Sequence, residues 1–345
     1  MRLIAFLLCL SLFATPVSGL EIAAPDVPAS AKDGMSDDTS SFSDGLLEVF
    51  RKAVAVLEPE LREAARVSVG LTAAALLVSL VSTVSESVIR PAVMAGTVAI
   101  GVLLMGSTGA MVTLAANTLE ELGHYGKLLL GVMGAALAAQ GGVTSSGALY
   151  AGTAAFLALL QSAINAFFVP GIWLLIALGI GCHVSGDELL KRLGDSLKSI
   201  LTWCLKILLM VFTTYLSLTG VVSGVTDAAA MKAAKVGMST FVPVVGGVLA
   251  DASEAVLISA GLLKNSAGIY GILATLAIFL RPFLRIACHY LILKLTGLIC
   301  AVYAPKGITG IVDSFSAAMG LLLGMTAAGC TMVLISTVCF MKGAM

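Results

Sequence analysis

Two carboxylates three residues apart, Asp251 and Glu254, sit inside an apolar run with no basic residue between Lys235 and Lys264. On a helix that spacing puts both on one face. The run, FVPVVGGVLADASEAVLISAGLLKN over residues 241–265, opens with Pro243 and the pair Gly246-Gly247 and closes with Lys264-Asn265. An acid facing lipid at a helix centre costs about 2.5–3.5 kcal/mol on insertion scales. Two adjacent acids also repel, which favours protonation of one of them. The proline and glycines release backbone groups that need water or neighbouring protein. Three chemistries fit. The run is a proton or cation site built on a broken helix, the wall of an aqueous pore or subunit interface, or an interfacial helix with both acids solvated. No second acid cluster completes a relay, since Glu86 and Asp313 are isolated in the sequence.

Other reactive residue types point nowhere comparable. His124 falls in an expected turn, His183 at an interface, and His289 one helical turn after Arg285, with no metal-ligand spacing. Of seven cysteines, Cys9 lies in the N-terminal apolar run. Cys182, Cys204, Cys288, Cys300, Cys330 and Cys339 lie in apolar surroundings without CxxC spacing, the pattern of small buried hydrophobes rather than a disulfide framework. No P-loop, nucleophile elbow or zinc-protease pattern occurs, so neither an enzyme nor a cofactor is expected. No basic stripe marks nucleic-acid binding.

The elements that must position Asp251 and Glu254 follow from composition. Across 345 residues 59% are apolar and 12% charged, and mean hydropathy is +1.04; soluble domains carry about 25% charged residues. Several runs reach the roughly 20 apolar residues that cross about 30 Å of hydrocarbon. The expected fold class is all-α, a polytopic transmembrane helix bundle with amphipathic interfacial helices and a re-entrant or broken helix at 241–265.

Residues 1–19 read as a signal peptide: Arg2, the core LIAFLLCLSLF, then small residues for cleavage after Gly19. Residues 20–66 form an extracytoplasmic linker with amphipathic helices, and 67–345 the multi-span domain. Residues 21–63 hold ten of the twenty acids. From the candidate N-cap Asp44, the residues Leu47, Phe50, Val54, Leu57 and Leu61 make an apolar stripe, broken near Pro59.

Spans are expected at 67–89, ending at Arg90-Pro91, and at 92–117. The polar turn LEELGHYGK (119–127) precedes spans at 128–145, 148–168 and, after Pro170-Gly171, 169–184. Ser185 and Glu188 have capping-box spacing. They open an interfacial helix with Leu190, Leu193, Leu197 and Leu201 as its stripe, which runs into a span at 200–224 with Trp203 at the boundary. Five crossings from an external residue 20 place Lys191, Arg192 and Lys198 inside, in accord with the positive-inside rule. Beyond residue 225 a full crossing and a re-entrant segment distribute the basic residues almost equally. Later helices are expected at 266–280, 283–303 and 308–340. Runs such as GTVAIGVLLMG and AAMGLLLGMTAAGC carry small residues that let helices approach closely, in an oligomeric assembly or in an ordinary compact bundle.

The stretch LTGVVSGVTDAAAMKAAKVGMSTFVPVVGGVLADASEAVLISAGLLKNSAGIYG (218–271) resembles the most characteristic block of the stage III sporulation protein AE family. The order of export signal, extracytoplasmic segment and multi-span body is similar too. The resemblance implies a non-enzymatic membrane component of the channel complex joining mother cell and forespore, a secretion-like apparatus in the mother-cell membrane. Implied partners are other stage III sporulation operon proteins and a forespore membrane partner. It supplies no catalytic residues. Pro243, Gly246, Gly247, Asp251, Glu254, Lys264 and Asn265 are the block on which function is expected to rest. The competing reading is a stand-alone proton- or ion-coupled secondary transporter using Asp251 and Glu254.

Overall fold

The computed structural model describes residues 27–28, 32, 42–82, 86–139, 143–241 and 246–342, with side chains over 27–28, 32, 44–81, 91–139, 146–218 and 266–341. The expected signal peptide and nearly all of residues 20–41 of the linker lie outside the described residues, as does Pro243. Among the described residues eight α-helices follow in order: α1 (Phe42–Ala55), α2 (Leu57–Ser82), α3 (Glu86–Ala139), α4 (Val143–Ala163), α5 (Val169–Ser185), α6 (Glu188–Phe241), α7 (Gly246–Tyr303) and α8 (Lys306–Lys342). A π-turn, Ile164–Phe168, joins α4 to α5. No strand occurs among the described residues. The fold is an all-α polytopic bundle, in which six helical stretches among the described residues are long and apolar enough to cross a membrane.

Among the described residues six stretches replace the nine spans expected outside 241–265, and each lost boundary has a physical reason. Pro91 lies inside the second turn of α3 rather than between helices, where its missing N–H costs one hydrogen bond to the first turn and the helix continues. The polar stretch 119–127 is helical throughout, because Leu119, Leu122, Tyr125 and Leu129 keep one buried face running through it. Pro170 does not end a helix either. The turn before it widens, so that the Val169 amide donates to Ile164 O five residues back, and the register shift absorbs the ring. Pro282 is likewise internal to α7.

Helix α8 is the hub. Of its apolar window 61% is buried, against 17–39% in the other five stretches, and it packs against α3, α5, α6 and α7. Close approach explains this position. A Cβ at Gly310 would overlap the His183 ring, and one at Gly126 of α3 would lie 3.1 Å from Val333 of α8. Without hydrophobic drive between helices in lipid, such packing supplies the association energy. Two of its buried hydroxyls bond their own helix: Ser336 donates to Met332 O at 2.7 Å and Thr337 to Val333 O at 2.8 Å. No polar group at these positions is left to the lipid.

The junctions 82/86, 185/188 and 303/306 share one end of the bundle. Ser79 donates to Tyr303 O at 2.9 Å, and Gly307 approaches both His183 O and Thr97 Oγ1. At the 185/188 junction Gly186 adopts φ 74° and returns its amide to Cys182 O at 2.8 Å, a left-handed closure that favours glycine. The cap of α6 is Asp187, whose Oδ1 accepts from the Leu189 amide at 2.8 Å; Ser185, expected to cap, instead donates to Gly181 O within α5. The interfacial helix and the sixth expected span are one element, α6, with Leu201 buried and Leu193 and Trp203 exposed. Val27, in the expected linker, is buried against the core.

Candidate functional site

Gly246, Gly247, Asp251, Glu254, Lys264 and Asn265 fall on the helical backbone of α7, and their side chains lie outside the described residues. Helix α6 ends at Phe241 and α7 starts at Gly246.

Within the described side chains, one cluster of charges lies between α2 and α7. Helix α2 begins after a turn at Val56 and carries Pro59 in its first turn, where the ring is tolerated. Glu60 and Glu63 are three apart on it and so share a face. Arg281, Arg285 and His289 recur every four residues along α7. Arg285 Nε lies 2.8 Å from Glu60 Oε2 and its Nη2 lies 3.4 Å from Glu63 Oε2. The two arms differ in environment: the Glu60 side chain is 14% exposed and that of Glu63 58%. The Nε–Oε2 contact is a close ion pair without hydrogen-bond alignment. One turn on, His289 is buried and its Nε2 has no hydrogen-bond partner among the described residues.

Chemically, an arginine does not deprotonate, so the Glu60–Arg285 pair cannot pass a proton along. It compensates charge and fixes α2 against α7. Sequence reading missed it because the partners are more than 220 positions apart; the signal present was the four-residue recurrence of Arg281, Arg285 and His289. Asp313, isolated in the sequence, is also paired, receiving Lys294 Nζ at 3.3 Å. Cys182, Cys288, Cys300 and Cys330 are buried thiols. Among the described residues no three His, Cys, Asp or Glu side chains converge as metal ligands.

The amphipathic helix α1 displays its apolar stripe outward. Leu47, Phe50 and Val54 are exposed at 63%, 56% and 44%, whereas Val49 and Ala53 are buried as α1 packs on α7.

The curated relative, "Stage III sporulation protein AE" of Bacillus subtilis (strain 168), is 25% identical over 206 residues, 60% of this chain and 51% of that protein. The chain thus spans about half the length of the curated relative it matches. No solved structure matches. The family profile described as "Stage III sporulation protein AE" matches residues 31–343, nearly the whole bundle, and the chain belongs to that family.

Proposed function

We propose that this chain is a non-enzymatic, multi-pass membrane component of a secretion-like channel complex between mother cell and forespore, acting with other stage III sporulation proteins and a partner in the forespore membrane. The observation that carries the reading is the family match over 31–343 on a bundle with six helical stretches able to cross a membrane. In this reading the bundle is seated in the mother-cell membrane, and the end carrying α1 faces the space between the two membranes. The block at Pro243, Gly246, Gly247, Asp251, Glu254, Lys264 and Asn265 meets water or a partner there.

The test is deletion of the gene in its spore-forming host. Development is expected to arrest after engulfment and to be restored by the full chain; normal spores would remove the proposal. Asp251→Asn with Glu254→Gln, assayed for proton-coupled uptake in vesicles, separates this reading from a transporter: uptake lost with those acids would favour the transporter.

A further inference from the structure

Helices α6 and α7 both pack on α8, and between them opens a cavity of about 890 Å³ with α8 as its floor. It begins at the end of the bundle that holds the 185/188 and 303/306 junctions. There Lys191 and Lys198 of α6, Lys294 of α7 and Lys306 of α8 line its mouth. Two carboxylates share the mouth, Asp195 and Asp313, the latter engaged by Lys294 at 3.3 Å. The mouth therefore carries a net excess of two positive charges with His183 neutral. Deeper in, the lining changes character. The floor is Ala317, Gly320 and Gly324, and the walls include Leu175, Leu205 and Leu321. From Lys306 to Gly324 the groove extends about 27 Å at the helical rise, longer than the roughly 15 Å of one leaflet's hydrocarbon.

The flanks identify the solvent that meets this groove. On α6, Trp203, Met210 and Leu218 are 62–71% exposed, and on α7 Leu295, Leu298 and Val302 are 57–87% exposed. Large apolar side chains displayed along helices of this length face acyl chains. The cleft is thus flanked by lipid-facing surface, cationic at the headgroup end and apolar with a glycine floor further in.

We propose that this groove binds one anionic phospholipid of the adjoining leaflet, its phosphodiester among Lys191, Lys198, Lys294 and Lys306 and one acyl chain along Ala317, Gly320 and Gly324. Basic pockets between spanning helices are the usual seats of anionic headgroups. The net charge selects the anionic over the zwitterionic lipid, and the apolar depth selects a lipid over a free anion.

The test uses the full chain purified in mild detergent and exchanged against equimolar phosphatidylglycerol and phosphatidylcholine, with co-purifying lipid quantified after gel filtration. Each uncompensated lysine near a headgroup contributes roughly fivefold, so phosphatidylglycerol should be enriched about 25-fold. The double variant Lys191→Gln/Lys198→Gln should bring the enrichment close to one. Asp313→Asn should raise it about fivefold, a gain that misfolding cannot imitate, and Lys127→Gln, outside the groove, should leave it unchanged. Gly320→Leu, which fills the floor and leaves every lysine in place, should lower retention of both lipids. Equal retention of the two lipids by the wild-type chain overturns the proposal. So does displacement of phosphatidylglycerol by excess inorganic phosphate, or a dimer whose groove lysines are shielded by the second copy.

Discussion

Replacing Arg285 by Gln removes the cation that holds two carboxylates of α2, and the two arms should respond unequally. Two unit charges about 4 Å apart attract by about 4 kcal/mol at an effective dielectric near 20. Desolvation of Glu60, which is 14% exposed, and the residual 35% exposure of Arg285 offset roughly half of that. A coupling of about 2 kcal/mol between Glu60 and Arg285 is expected. Glu63 is farther away at 3.4 Å and 58% exposed, so its coupling should stay below about 1 kcal/mol, as for surface pairs. The assay is a double-mutant cycle with Arg285→Gln, Glu60→Gln and Glu63→Gln, read from unfolding in mixed micelles of mild detergent and dodecyl sulfate. The paired replacement Glu60→Leu/Arg285→Leu removes both charges and should cost less than Arg285→Gln alone, which strands Glu60. A Glu63 coupling equal to or above that of Glu60 would refute the assignment of burial as the deciding factor.

Gly310→Ala should destabilise the bundle by about 1–3 kcal/mol through overlap with the His183 ring, and His183→Ala should recover most of the loss in the same unfolding assay. Phe50→Trp should show emission quenched by brominated phospholipid, since this residue is 56% exposed on the outward face of α1; an unquenched signal would place α1 away from lipid. Cysteines introduced at 251 and 254 in a cysteine-free background should react with membrane-impermeant thiol reagents, whereas one at the buried position 322 of α8 should not.

The class of fold was legible because a chain with 12% charged residues has one solvent that suits it. The boundaries were not, because proline and polar residues were read as breaks when each had a local remedy. Pro170 was absorbed by a widened turn, and Glu120 and His124 lie on the exposed side of a helix whose Leu122 and Tyr125 are buried. The outward facing of the α1 stripe has a related reason. An apolar stripe on a soluble helix points to the core, but where lipid or its interface is the surroundings, large residues such as Leu47 and Phe50 are displayed outward. Small ones such as Ala53 permit contact. The ion pairs lay beyond reach: a single sequence shows which residues share a helix face, not which helix comes to meet it.

The lengths of the helices also bear on the carboxylates at 251 and 254. The three stretches before Ser185 and the five crossings expected there are both odd numbers, so Lys191, Arg192 and Lys198 stay on the side opposite α1 however the first half is divided. Alternation of the six stretches then assigns the junction of α6 and α7 to the end opposite the lysine groove. Ser266–Tyr303 alone is 38 residues, about 57 Å of helix, already more than a bilayer of about 40–45 Å with headgroups. An ordinary tilt near 20° shortens that projection by only a few ångströms. Residues 246–265 belong to the same helix and lengthen it by about 30 Å. A carboxylate at that distance along the helix is expected to meet water or a partner. The length therefore favours acids that face water or a partner protein over a midplane transport site, and it is why cysteines at 251 and 254 are expected to react with reagents that cannot enter the membrane.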